Sequence, residues 1–205
     1  MGFQNEDSDF ALRLKLKGTL MNNALIVSGH TDLNNSVANR TILQTLSAKL
    51  PDAVVDRLDA LYPDFDIDVS AEQAKLEAAD VIVLQFPVFW YAMPSLMQKW
   101  MEDVFVHGWS HGGSGTALKG KKIVVSCTAG APEELYAHEG PMGHTIEELF
   151  LSSFATADLT GMEVAGMVFT GGVSYQMRSE GSDAIEQKAI AHADRIVALV
   201  ESLEN

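Results

Sequence analysis

The 205-residue chain contains a single cysteine, Cys127. One thiol cannot form an intrachain disulfide, and it excludes a zinc site built on several cysteines. Basic residues are scarce as well: 14 Lys and Arg stand against 28 Asp and Glu, for a formal charge of −14. A surface that acidic repels phosphate backbones and anionic lipid, which removes nucleic acid and membrane surfaces as principal partners. Long apolar runs are missing. The stretch 81–90 falls far short of the ~20 residues a membrane-spanning helix needs, so no spanning segment is expected. What remains is 47% hydrophobic and 20% charged, the composition of one soluble domain with a substantial core. A lone thiol suits a reducing cytoplasm, the expected location.

The stretch 1–23 begins polar and acidic, without the basic-then-apolar layout of a secretory leader. Its LRLKLK segment (12–17) alternates as a short strand would, and Met21 stands just before the first core strand. It reads as an N-terminal extension without assigned function, ahead of a domain covering 24–205.

Within that domain, ALIVS (24–28) is a short apolar run ending at Gly29, the pattern of a buried parallel strand. A polar loop leads to a helical pattern over 36–50, with Val37, Ile42 and Leu46 on one face and Pro51 as its stop. A weaker strand over 53–58 precedes LYPDFDID (61–68), a loop by its Pro and Asp content. Ser70 with Gln73 predicts a capping box that starts a short helix to residue 79. Residues 81–86 carry the strongest strand signal. Pro94 opens an amphipathic helix bearing Leu96, Trp100, Val104 and Phe105. The glycine-rich loop 107–115 precedes a fourth strand over 122–127. A helix over 145–157, a fifth strand over 162–170 and a helix over 182–203 complete the pattern. Such alternation predicts a parallel sheet covered on both faces. Ligands bind these sheets beyond the carboxyl ends of the strands, which singles out loops 29–36, 86–94 and 128–144.

The first of these, GHTDLNNSVAN (29–39), ends at a helix N-terminus, where backbone N–H groups, hydroxyls and His30 suit one phosphate. It reads equally as a polar loop with an N-cap at Asn35 or Ser36. Neither a P-loop nor a dinucleotide fingerprint is present. The second, FPVFWYAMP (86–94), sets three aromatics between prolines. That is a rigid wall for a planar heteroaromatic ligand, or a dimer contact. The third begins TAGA (128–131), where glycine admits close backbone approach, and carries Tyr136, His138 and His144. Each of those three is a candidate donor to a developing oxyanion, or a solvated side chain.

Other groupings are weaker. His107 and His111 lack the glutamate of a zincin motif. Cys127 lacks a nucleophile elbow, which favours a buried structural thiol over an esterase nucleophile. Asp64, Asp66 and Asp68 lack the glycine and closing glutamate of a calcium loop.

Jointly, LYPDFDID (61–68) with AEQ (71–73), the stretch 85–94, FVHGW (105–109), GTAL (115–118) with Gly120-Lys121, and TAG (128–130) resemble the flavodoxin-like NAD(P)H:quinone oxidoreductase family. The branch most resembled is the ancillary subunit of glutathione-gated potassium-efflux systems. The resemblance spans 24 to about 200 and implies an α/β flavodoxin-like fold with five parallel strands in the order 2-1-3-4-5. It implies FMN, with FAD as the alternative, held by His30, Ser36, Val37, Ala38 and Asn39 at the phosphate end. Pro87, Val88, Phe89, Trp90 and Tyr91 would lie along the isoalloxazine, with Thr128, Ala129, Gly130 and Ala131 at its other polar edge. Tyr136 matches a tyrosine that pairs with a downstream histidine in animal quinone reductases; here that place falls near Met142, between His138 and His144. Ala129 and Ala131 replace a threonine and a glycine of the usual turn, and Phe89 stands where glutamine is common.

The implied activity is a ping-pong transfer of hydride from NADH or NADPH through the flavin to a quinone-type acceptor. Trp90 and Trp109 would wall the shared site. The resemblance also implies a homodimer, with Trp109 and His111 near the seam, and a possible dock on a potassium-efflux protein at the inner membrane. Two rivals remain: a regulatory subunit in which oxidoreduction is secondary, and a one-electron carrier, which needs no aromatic substrate wall.

Overall fold

The computed structural model describes residues 23–174 and 182–203. Of the expected extension, all but Asn23 lies outside the described residues, the alternating segment 12–17 included. Five strands form one sheet: β1 (Ala24–Ser28), β2 (Val54–Arg57), β3 (Val81–Pro87), β4 (Lys122–Thr128) and β5 (Glu163–Thr170). All pairings are parallel, and the order is β2-β1-β3-β4-β5, as expected.

The central strands are continuous apolar runs because both faces are covered. Side chains alternate between them. Ala24, Ile26, Val81, Val83 and Val124 meet α1 (Val37–Lys49) and α7 (Asp183–Ser202) on one face. Leu25, Val27, Ile82, Leu84 and Phe86 point to the other, covered by α4 (Ser95–Val104) and α6 (Leu151–Thr160). Two short helices, α2 (Leu58–Leu61) and α5 (Ile146–Leu149), and the ten-residue α3 (Val69–Ala78) complete the frame. No described helix is long and apolar enough to cross a membrane.

Three boundaries differ from the sequence reading, each for a physical reason. The segment read as a loop at 61–68 begins on Leu61, the last residue of α2, a helix that forms where fully buried Leu58 winds the chain back onto the sheet. The cap of α3 is Asp68, whose carboxylate accepts from the Ala71 N–H at 3.0 Å, in place of Ser70. Glu72, the third residue of the expected capping box, is instead drawn into the core. The single helix expected over 145–157 breaks at Phe150 into α5 and α6. Phe150 is buried and packs edge-on against Phe86 at 5.2 Å between ring centres. Holding that contact costs one residue of helical geometry.

Two features fix the framework near the carboxyl ends of the strands. Gly29 sits so close to α4 that a Cβ there would lie 2.7 Å from the Met97 Cβ, so only glycine lets β1 end against that helix. Beneath α3, the Glu72 carboxylate has no exposed surface and accepts from Tyr62 Oη at 2.6 Å, Trp100 Nε1 at 2.7 Å and Lys75 Nζ at 2.6 Å. Lys75 also donates to both oxygens of buried Asp56 at 2.9 Å. This knot ties α3, β2 and α4 together. Burial opposes the Glu72 charge, but the hydrogen bonds from Lys75, Tyr62 and Trp100 outweigh it and hold its pKa below the ordinary carboxylate value.

Candidate functional site

In this strand order the winding direction reverses between β1 and β3, which opens a crevice at their carboxyl ends. A cleft of about 350 Å³ lies there, within the roughly 300–1,000 Å³ range of small-molecule sites. Eleven of the fourteen residues expected to hold a cofactor line it: His30, Ser36, Val37, Ala38, Asn39, Pro87, Val88, Phe89, Thr128, Ala129 and Gly130. The loop after β5 and the start of α7 add Val173, Ser174 and Ile185, which sequence reasoning missed because they are ordinary small or apolar residues.

One end of the cleft is the N-terminus of α1, a thirteen-residue helix. The Ser36 hydroxyl caps it by accepting from the Asn39 N–H at 3.1 Å. His30 accepts the Asp32 N–H on Nδ1 at 3.0 Å, which leaves its proton on Nε2, and its ring stands edge-on to Phe89 at 5.8 Å. Asp32 also lines this end, its carboxylate held by the Asn35 amide at 2.7 Å.

A second lining segment is Pro87, Val88 and Phe89, with Phe89 beside His30. It is stiff because Val88 N–H donates to Thr128 O at 2.7 Å. Phe89 and Ala92 exchange both backbone hydrogen bonds at 3.0 Å. Trp90 and Tyr91, the two residues between them, have φ of +50° and +64°. Positive φ at both central positions defines a type I′ turn, which favours Asn-Gly. Two bulky aromatics there carry strain, a feature that gathers at functional sites. The turn throws Trp90 outward to 94% exposure, so neither it nor Tyr91 belongs to the cleft lining.

Ala131 is also outside the lining; its carbonyl accepts the Gly172 N–H at 2.8 Å and joins the loops after β4 and β5. Tyr136 is half-buried, its ring edge-on to Phe169 at 5.1 Å, and burial followed by the neighbouring Tyr91 and Cys127 pushes its phenol pKa up. His138 and His144 are exposed, with Nδ1 atoms 3.7 and 3.6 Å from Glu148 Oε2. His144 lines a separate cavity of about 410 Å³ shared with Tyr91, Pro141, Met142 and Leu149. Trp109 is not brought to the cleft: its indole donates to Glu77 at 2.8 Å near the end of α3. Cys127 is fully buried, and desolvation pushes its thiol pKa up, which agrees with a structural thiol.

Under the cleft floor runs a buried polar chain. Asn39 Nδ2 donates to Thr128 Oγ1 at 3.0 Å, and Gln85 Nε2 donates to Asn39 Oδ1 at 2.9 Å. Ser126 Oγ donates to Gln85 Oε1 at 2.6 Å. His192 joins Ser126 Oγ through Nε2 at 2.7 Å and Thr170 Oγ1 through Nδ1 at 2.8 Å. All six side chains are buried. Sequence did carry a signal: Gln85 and Ser126 interrupt otherwise apolar strands, and His192 sits on the apolar face of α7 with Ile185, Ala189 and Ile196.

Burial, and then the charge of Arg195, lower the His192 pKa from 6.5 to about 3. A histidine with a depressed folded pKa takes up its proton in the unfolded chain first, so stability falls as pH drops below 6.5. At pH 4.5 the loss from this residue is about 2–3 kcal/mol. Replacing His192 with Gln is expected to remove that part of the slope between pH 6.5 and 4.5 in denaturant titrations. An unchanged slope would show that His192 charges freely in the folded state.

Comparisons with known proteins agree with this architecture. The family model described as flavodoxin-like fold matches residues 22–197. The uncharacterized NAD(P)H oxidoreductase YrkL of Bacillus subtilis is 39% identical over 138 residues, 67% of this chain and 79% of YrkL. General stress protein 14 of the same organism is 34% identical, covering 80% of this chain and 94% of its own length. Among solved structures, general stress protein 14 of Treponema denticola in complex with FMN superposes with a TM-score of 0.78 at 28% identity, over 86% of this chain and 99% of that one. With the sheet order, the switch-point cleft and the match over 22–197 in agreement, the chain belongs to the flavodoxin-like fold family.

Proposed function

We propose that this protein is an FMN-dependent NAD(P)H dehydrogenase that reduces a quinone-type acceptor. One observation carries the reading: a switch-point cleft lined both by a capped helix N-terminus and by the stiff apolar segment 87–89. The helix N-terminus suits a phosphate; the apolar segment suits a planar ring. Ser36 and Thr128 supply hydroxyls between them. The residues therefore fit FMN better than FAD, and the similarity to the FMN-bound treponemal protein supports the same choice.

His30 and residues 36–39 would hold the phosphate. Residues 87–89, with the backbone of the Trp90-Tyr91 turn, would orient the ring, and 128–130 would meet its other edge. Bound flavin supplies the hydride relay, accepting two electrons from a nicotinamide and returning them to a quinone. The ping-pong order follows if both substrates use one face, with Trp90 as its outer wall. Tyr136 is the proposed proton donor; His138 and His144, facing Glu148, are proposed as its partners.

Absorbance spectroscopy tests this directly. The purified protein is expected to be yellow, to bleach anaerobically with NADH or NADPH, and to recover colour with menadione. A protein that stays colourless after exposure to FMN sinks the enzyme. The outward Trp90 and half-exposed Tyr91 further support a homodimer in which a second copy completes the site, which sedimentation of the same sample checks. The ancillary potassium-efflux role rests on the family resemblance, and pull-down with a cytoplasmic efflux domain decides it.

A further inference from the structure

The buried chain beneath the cleft has a direction, and the direction determines what the cleft presents. Gln85 donates its amide N–H to Asn39, so its Oε1 is left to accept the Ser126 hydroxyl proton. Having given that proton away, the Ser126 oxygen can only accept from His192. His192 therefore carries its proton on Nε2, and Nδ1 accepts from the Thr170 hydroxyl. At the other end, Asn39 turns its N–H to Thr128 Oγ1. A hydroxyl that accepts there keeps its own proton for another partner, and Thr128 lines the cleft. Ser36 is in the same position, since its oxygen accepts the Asn39 backbone N–H as the helix cap. The reverse polarity, with the proton on Nδ1, would spend the Thr128 proton on Asn39 and show the cleft a bare oxygen.

We infer that His192 is a positioning residue: through Ser126, Gln85 and Asn39 it sets the Thr128 hydroxyl as a hydrogen-bond donor to acceptor atoms of the cofactor. His192 itself does not line the cleft, yet its buried imidazole ends the chain of hydrogen bonds that reaches Thr128. Such a buried chain runs wholly in one polarity or wholly in the other, which is how a group outside the cleft bears on what the cleft presents. Ser28, one residue before Gly29 in the neighbouring strand, has a fully buried hydroxyl without a partner among the described residues. Ser28 therefore adds no link to the chain from β1.

The inference rests on the flavin reading of the cleft, and two measurements separate the two. Long-range 1H–15N spectra of the protein without ligand read the His192 tautomer; Nε2–H is expected, and Nδ1–H overturns the proposal. FMN titration then compares wild type with His192→Leu, which cuts the chain, and His192→Gln, whose amide N–H replaces the Nε2 donor. Affinity is expected to fall about tenfold or more in the leucine variant and to stay within about threefold in the glutamine variant. Ser126→Ala, which interrupts the chain one step nearer the cleft, is expected to behave like the leucine variant and serves if that variant does not fold. Equal affinity in wild type and both chain-cutting variants overturns the proposal. A wild type that shows the Nε2–H tautomer and takes up no FMN overturns the flavin reading alone, because the tautomer is measured without ligand.

Discussion

The double substitution of Trp90 with Asn and Tyr91 with Gly is expected to stabilise the folded protein while lowering NAD(P)H turnover. Both residues sit at positive φ in a turn closed by two backbone hydrogen bonds. An L-residue in the left-handed region costs roughly 1–2 kcal/mol, and Asn-Gly is the pair that adopts this turn most readily. Little packing is lost, because Trp90 is 94% and Tyr91 51% exposed. The expected gain is about 1–3 kcal/mol in denaturant titration. Turnover is expected to fall by about tenfold or more, since the proposed outer wall of the substrate site is removed. A variant less stable than wild type would show that the turn holds no strain. One that is more stable and fully active would place the turn outside the site.

Truncating Glu72 to Ala is expected to destabilise the fold strongly. It strands the Tyr62 hydroxyl and the Trp100 indole without their acceptor and leaves Lys75 facing Asp56 alone. Breaking a buried ionic knot on one side costs about 3–5 kcal/mol. Trp100 lies on α4, which begins three residues after Ala92, so loosening it also loosens the exit of the Trp90-Tyr91 turn. Equilibrium unfolding measures the loss, and a change under about 1 kcal/mol would mean that water replaces the carboxylate at no cost. The acid limb provides a second check. Glu72 titrates below the ordinary value, so its contribution is whole above pH 4.5 and is lost as pH falls toward the folded pKa. The Ala variant is therefore expected to lose less stability on acidification than wild type.

Much of the architecture was legible along the chain. Runs such as ALIVS at 24–28 and VIVLQF at 81–86 are apolar at every step or nearly so, which only a strand covered on both faces tolerates. Pro51 and the Ser36 cap bound α1 through local chemistry, and neither needs a distant partner. Strand order was different: alternation alone implies parallel crossovers, and the place of β1 between β2 and β3 came from resemblance to a family. The loops that form the cleft were legible because they follow the strands' carboxyl ends, where the topology obliges ligands to bind.

Other features depend on groups far apart in sequence. Nothing near residue 150 says that a helix must break there; Phe86, sixty-four positions earlier, makes the contact that requires it. Ser70 competes well as a cap until Glu72 is pulled beneath Tyr62 and Trp100, after which Asp68 holds the helix. Trp90 and Tyr91 look like ordinary strand or wall residues, and their positive φ follows from the tie between Phe89 and Ala92. The polar chain is the clearest case. Gln85, Ser126 and His192 each looked like an isolated exception in an apolar element, because hydrogen-bond partners 46, 41 and 66 residues apart leave no local trace. Strands, the proline stop of α1 and the cleft-forming loops can be read along the chain, since these follow from short-range periodicity and turn chemistry. Which buried polar groups face one another is settled in three dimensions, because a buried donor must find its acceptor wherever the fold has placed it.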